Sequence, residues 1–157
     1  MLLVLNKNNI DINKISILDK INNNILSNGY FHRIIYNSTN FFLNGIYFYF
    51  SLNNFKIENY FNKYKCTFNI KDNTEIISVL KNLEKSIMDN EIFKNQKGVY
   101  RIAEQLEQGY LKLYTNNDIK LISYKDNVNF LLKLSGIWSE NDCHGLTFRF
   151  CLSIGDE

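Results

Sequence analysis

Leu146-Thr147-Phe148-Arg149-Phe150-Cys151-Leu152-Ser153-Ile154 alternates without a break. Leu146, Phe148, Phe150, Leu152 and Ile154 share one parity, and Thr147, Arg149, Cys151 and Ser153 share the other. Successive side chains of a strand point to opposite faces, so the run predicts a strand buried on one face and open to water or a ligand on the other. Upstream, residues 130–138 read as a partner strand, with 139–145 as the connecting loop. Tyr110-Leu111-Lys112-Leu113-Tyr114 alternates as strictly, Asn116-Asn117-Asp118 reads as a turn, and 119–124 as the returning strand. The last third therefore has the outline of a β-meander. Trp138 has the parity of Phe130, Leu132 and Leu134, which predicts a core position unless Gly136 makes a bulge that turns it outward.

The same pattern continues toward the N-terminus. Residues 30–36 and 41–50 are rich in aromatic and β-branched side chains, separated by Asn37-Ser38-Thr39-Asn40. Asn44-Gly45 inside the second run signals a tight turn or a bulge. Residues 55–61 and 64–70 read as further strands. One helix is clear, because Ile76, Leu80, Leu83 and Ile87 recur at the helical period, widened by Ile77 and Met88. Asp72 and Glu75 predict a capping box at its start, and Lys81, Glu84 and Lys85 fall on its polar side. A second helix is predicted over 99–108, ending at Gly109. Within 6–28 the spacing of Ile15, Leu18, Ile21 and Ile25 fits a helix, whereas the pairs 10/12 and 15/17 fit short strands. The whole predicts one β-rich α+β domain over 1–157, a small antiparallel barrel or curved sheet with one or two helices.

Composition bounds the function. The 157 residues are 45% hydrophobic and 22% charged, which excludes global disorder. No apolar run approaches the roughly 18 residues that span a bilayer, and Met1-Leu2-Leu3-Val4-Leu5 is too short for a signal-peptide core. Three irregularly spaced cysteines make no disulfide framework. These features predict a soluble, intracellular protein with no membrane partner. The chain has no proline, one alanine and fifteen lysines against three arginines, and Asn is about a sixth of it. Asn, Lys, Ile, Phe and Tyr share A/T-rich codons, so an A/T-rich gene explains the 15% aromatic content. Only the placement of aromatics then carries information. The net charge of +2 is small, but residues 1–98 hold twelve basic and eight acidic groups, against six and eight in 99–157.

Enzyme chemistry finds little support. No Walker A, GxGxxG, GxSxG or HExxH motif is present, and acidic residues do not cluster as a two-metal nuclease requires. Cys143-His144 is adjacent in sequence, which does not make a nucleophile–base pair. Cys66, Cys143, Cys151 and His144 could supply zinc ligands, but without CxxC-type spacing. The expectation is a non-enzymatic protein with no cofactor; a small nuclease using His32 or His144 is the weaker reading.

Placement of rings and cations supports binding. With Leu111 and Leu113 inward, Tyr110, Lys112 and Tyr114 share the other face of one strand, and Lys120 and Tyr124 extend the row on the next. Lys133 with Ser135, and Arg149 with Thr147, make the polar faces of the last two strands. Lys56, Tyr60, Phe61, Lys63, Tyr64 and Lys65 interleave aromatics with cations elsewhere. Single-stranded nucleic acid needs flat surfaces for unpaired bases and cations along its phosphates, and base–aromatic stacking is worth about 1–3 kcal/mol per base. Tyrosines are also favoured on exposed sheets by cross-strand pairing alone. The competing class is a protein–protein or virion-assembly module whose aromatic face is an oligomer interface; either would form homo-oligomers.

Leu132-Lys133-Leu134-Ser135-Gly136-Ile137-Trp138, a short polar loop, and then Gly145-Leu146-Thr147-Phe148-Arg149-Phe150 resembles the closing hairpin of small single-stranded DNA-binding proteins. These are encoded by A/T-rich cytoplasmic DNA viruses and yeast cytoplasmic linear DNA plasmids. The resemblance implies an OB-fold-like barrel that coats single-stranded DNA during cytoplasmic DNA replication. Asp156-Glu157 stands where such proteins carry an acidic, partner-contacting tail. RNA differs by 2′-hydroxyl contacts that leave no motif, so single-stranded DNA and RNA stay open as partners.

Overall fold

The fold is given by a computed structural model that describes residues 5–6, 10–23, 25, 29–38, 41–60, 63–114 and 128–154. Its elements in chain order are β1 (Leu5–Asn6), β2 (Ile15–Asn22), β3 (Gly29–Ser38), β4 (Phe41–Asn44), β5 (Ile46–Phe50), β6 (Phe55–Tyr60) and β7 (Lys63–Phe68). Then follow α1 (Thr74–Met88), β8 (Lys97–Val99), α2 (Arg101–Glu107), β9 (Tyr110–Leu113), β10 (Val128–Glu140) and β11 (Cys143–Ile154). The alternating C-terminal run is the spine. β10 and β11 pair antiparallel from Val128↔Ile154 to Glu140↔Cys143, closed by Asn141-Asp142 with Asn141 at φ 51°. The predicted loop at 139–145 is thus mostly strand, because Asn tolerates the left-handed backbone that a two-residue turn needs.

β10 is flanked first by β5 (Phe130↔Phe50 to Leu134↔Ile46) and then by β3 (Gly136↔Arg33 to Glu140↔Gly29). The β10–β11 register shifts between Leu134 and Gly136, where one flanking strand gives way to the next. Gly45, at φ 95°, makes the matching bend that carries the chain from β4, paired with β3, to β5, paired with β10. A Cβ there would lie 3.0 Å from the Leu134 carbonyl oxygen. On its other side β11 takes β9 in parallel, followed by β7 and β6, and pairs with β8 in parallel nearer the turn. β1 lies parallel on β5, and β2 and β4 flank β3. The segment 15–22 is therefore a strand. The β-meander and the antiparallel barrel are both corrected: β9 lies between β7 and β11, and the sheet is mixed and, among the described residues, not closed. The protein is a β-rich α+β fold.

Both helices cover one face of the sheet, here the inner face. Phe130, Leu132 and Leu134 of β10, Phe150 of β11, Leu111 and Leu113 of β9, and Ile46, Phe48 and Phe50 of β5 join Leu80, Leu83 and Ile87 of α1 and Ile102 and Leu106 of α2 in one buried cluster. Phe50 stacks on Phe130 at 5.6 Å between centroids, and Phe55 meets Phe130 edge-on at 5.3 Å. Such pairs contribute about 0.5–1.5 kcal/mol beyond their burial.

Three local expectations change. No capping box forms: a 3-10 turn (Lys71–Asn73) precedes α1, Asp72 instead accepts from Asn54 Nδ2 at 2.8 Å, and Asn73 stands at the cap. The Asn73 amide accepts from Asn53 N at 2.7 Å and donates to the Asn53 and Asn69 carbonyls, tying the 51–54 loop to the helix start. Val99 belongs to β8, so α2 starts at Arg101, and Gly109 at φ 69° ends its last turn. Glu84 is not on a polar side of α1 but wholly buried. Its carboxylate accepts the N–H groups of Ile102 at 3.0 Å and Ala103 at 2.8 Å, satisfying donors that the first turn of α2 cannot pair internally. Burial raises the Glu84 pKa above the ordinary carboxylate value, while the backbone N–H groups of 101–103 pull it back.

Candidate nucleic-acid interface

The face away from the helices is built by strand parity. Because Leu111 and Leu113 are buried, Tyr110, Lys112 and Tyr114 point outward. The registers then fix what lies beside them. Lys65 is directly opposite Lys112, Thr67 opposite Tyr110, Glu58 opposite Lys65, and Tyr60 opposite Lys63. On the other side, Arg149 is opposite Lys133, and Lys133 opposite Tyr47. Tyr114 N donates to the Phe150 carbonyl at 2.8 Å, which seats its ring beside Arg149. Six strands, in the order β5-β10-β11-β9-β7-β6, thus present rings and cations on one surface.

Rings and cations touch. The Arg149 guanidinium lies 5.6 Å from the Tyr114 centroid and Lys133 Nζ 5.3 Å from that of Tyr47. Lys65 Nζ lies 4.5 Å from Tyr110 and 5.9 Å from Tyr60. Exposed cation–π contacts are worth about 0.5–1 kcal/mol. A stacked base is worth about 1–3 kcal/mol, so a base can displace a lysine from its ring and leave the cation for a phosphate. Tyr114 and Tyr60 are 48% and 59% exposed, open enough for a base to reach them.

Most of these charges have no ion-pair partner among the described residues, although Glu58, opposite Lys65, has its pKa lowered by Lys56 and also by Lys65. Among the described residues, Lys63, Lys65, Lys112, Lys133 and Arg149 have no carboxylate within salt-bridge distance. Lys56 does, at 2.5 Å from Glu58, whose pKa that lysine lowers by hydrogen bonding and charge. Two cross-strand pairs, Lys133↔Arg149 and Lys65↔Lys112, set like charges directly opposite, an arrangement that destabilises a sheet.

Of the residues expected to bind, Tyr110, Lys112, Tyr114, Lys133, Arg149, Lys56, Tyr60, Lys63 and Lys65 meet on this face. Tyr64 does not: opposite Leu113 and with the parity of buried Cys66, it packs against the core. Lys120, Tyr124 and Phe61 lie outside the described residues, as does the acidic tail. Trp138 is corrected to the outer face, since the irregularity before Gly136 resets its parity. Tyr47 and Tyr49 of β5 share the face and escaped the sequence reading. Their signal was the alternation Ile46-Tyr47-Phe48-Tyr49-Phe50, in which only one parity carries hydroxyls.

The histidines are buried on either side of Phe93. His144 stacks on it at 4.7 Å and donates from Nε2 to the Met88 carbonyl at 3.2 Å. His32 meets it edge-on at 5.1 Å and donates from Nδ1 to the Leu18 carbonyl at 3.0 Å. Burial pushes the Cys66 thiol up to about 12 and also raises that of Cys151. Among the described residues no group of three or more His, Cys, Asp and Glu could hold a metal ion. None of their helices is long and apolar enough to cross a membrane. No family model, curated protein or solved structure matches this chain.

Proposed function

We propose that the outer sheet face binds single-stranded nucleic acid, and that the protein is a non-enzymatic coat on single-stranded DNA during replication, with little base preference. The carrying observation is the pair of like-charge juxtapositions, Lys133↔Arg149 and Lys65↔Lys112, bracketed by Tyr47, Tyr114, Tyr110 and Tyr60. Glu58 lies opposite Lys65 on its other side, but among the described residues Lys112, Lys133 and Arg149 have no carboxylate opposite them in the sheet; an anionic partner converts their repulsion into attraction. Rings between the cations suit unpaired bases rather than a duplex, whose bases are already stacked. The assembly reading is weaker for this face, because two copies apposed through it would bring the same cations together. A homo-oligomer formed along the bound strand would use other surfaces.

Fluorescence anisotropy tests the reading, with labelled oligo(dT), a matched single-stranded RNA and a duplex titrated at low and high salt. Saturable binding of the single strands, weakened in the Tyr110→Ala/Tyr114→Ala variant, is expected. Absence of any low-salt complex with oligo(dT) would overturn it. The DNA-to-RNA ratio decides which strand is the partner.

A further inference from the structure

The irregularity at Gly136 does more than relocate one tryptophan. Beyond it, Gly136 pairs with Thr147 and Arg33, and Trp138 pairs with Gly145 and Phe31. Thr147 and Gly145 have the parity of Arg149, so Arg33, Phe31 and Trp138 stand on the same outer face as the rows above. Both glycines make room for rings. A Cβ on Gly145 would lie 2.7–2.9 Å from Trp138 indole atoms, and one on Gly136 only 2.3 Å from Phe31 Cζ. The rings therefore lie down against the sheet in space that side chains would otherwise fill. Arg33 is exposed and, among the described residues, has no carboxylate partner.

We infer that Trp138, with Phe31 and Arg33, forms a second base-stacking platform that extends the strand's path past the bulge along β10 and β3. The inference rests on the proposed single-strand binding and adds a subsite to it. A half-buried indole held on a glycine is pre-organised, so stacking a base on it orders little that was free. Arg33, one strand over from Gly136, is placed to meet the phosphate beside that base. Glu140, two residues beyond Trp138 on the same parity, sets an acidic limit to the path, because a carboxylate repels the next phosphate.

Trp138 is the chain's single tryptophan, so its fluorescence reports on this subsite alone. Unlabelled oligo(dT) is titrated while Trp138 emission and acrylamide quenching are read, beside anisotropy of labelled oligo(dT). The expected result is emission quenched, and the indole shielded from acrylamide, at the stoichiometry at which anisotropy saturates. Trp138→Leu should weaken binding roughly five- to a hundredfold and Trp138→Phe less, the loss expected of one stacked base. Arg33→Gln, an exposed change that leaves the packing intact, should make the log–log salt slope shallower by about 0.7. Anisotropy that shows binding while Trp138 emission, acrylamide access and the Arg33→Gln slope stay unchanged overturns the platform and leaves the single-strand reading standing. No anisotropy change with the wild type overturns both.

Discussion

The salt dependence of binding tests the interface most directly, because its size follows from counting side chains. Five cations on β7, β9, β10 and β11, Lys63, Lys65, Lys112, Lys133 and Arg149, have no ion-pair partner among the described residues, whereas Lys56 is engaged by Glu58. Each phosphate neutralised on a single strand contributes about −0.7 to the slope of log affinity against log salt, so five give about −3.5. Arg33, beyond the bulge, adds about −0.7 to the slope of every variant that keeps it, over and above what these five contribute. On account of the five, raising salt from about 50 to about 200 mM should weaken oligo(dT) binding on the order of a hundredfold. In Lys112→Gln/Arg149→Gln three of the five remain, their share of the slope should fall to about −2, and on their account the same salt step should cost only about twentyfold. The perturbation stays local, because both side chains are exposed and each leaves its like-charged neighbour relieved rather than orphaned. Anisotropy titrations at four or more salt concentrations give the slopes. Lys85→Gln, on the exposed side of α1 and away from the sheet face, is the control and should leave the slope unchanged. A wild-type slope near zero, or equal slopes for the double variant and the wild type, would refute the assignment of phosphates to this face.

Glu84→Ala strands at least two N–H groups at the start of α2, one buried and one part-buried, and with about 1–3 kcal/mol for each unpaired donor a loss of roughly 2–6 kcal/mol is expected in urea unfolding. The raised Glu84 pKa means that the native state binds its proton more readily than the unfolded chain does. Stability of the wild type relative to Glu84→Gln should therefore rise as pH falls from the raised value toward the ordinary 4.5 and be flat outside that window; unfolding curves across the range check the sign. Gly136→Ala drives a Cβ to 2.4 Å from the His32 carbonyl oxygen, a backbone atom that cannot swing aside. A loss of about 1–3 kcal/mol is expected from such overpacking, read as a Tm lowered by several degrees. Cys66, fully buried with its thiol pushed up to about 12, should stay unreactive to a disulfide reagent at neutral pH until the protein unfolds, whereas half-buried Cys143 reacts in the native state and Cys151, half-buried with its thiol also raised, reacts more slowly than Cys143.

Some features were legible because neighbours along the chain decide them. The strand over 146–154, the strands that became β6 and β7, the apolar stripe of α1 and the outward set Tyr110, Lys112 and Tyr114 all follow from periodicity, since parity in a strand and pitch in a helix are properties of the local backbone. Others depended on partners distant in the chain. Tyr64 sits between lysines in sequence but opposite Leu113 in the sheet, and pairing rather than composition turned it inward. Glu84 looked like a surface carboxylate until α2 arrived over it with unpaired N–H groups. Trp138 changed faces because one irregular residue in a period-two pattern inverts everything beyond it.

The amino-acid sequence by itself determined the strands that alternate without interruption, such as 110–113 and 146–154, and which side of each is polar. Only the tertiary structure decided that those polar sides adjoin, setting Lys65 against Lys112 and Lys133 against Arg149 between tyrosines from several strands. Cross-strand neighbours are chosen by the burial of the opposite face: once Leu111, Leu132, Phe48 and Phe150 share one core, the rings and cations on their reverse sides have a single surface to occupy.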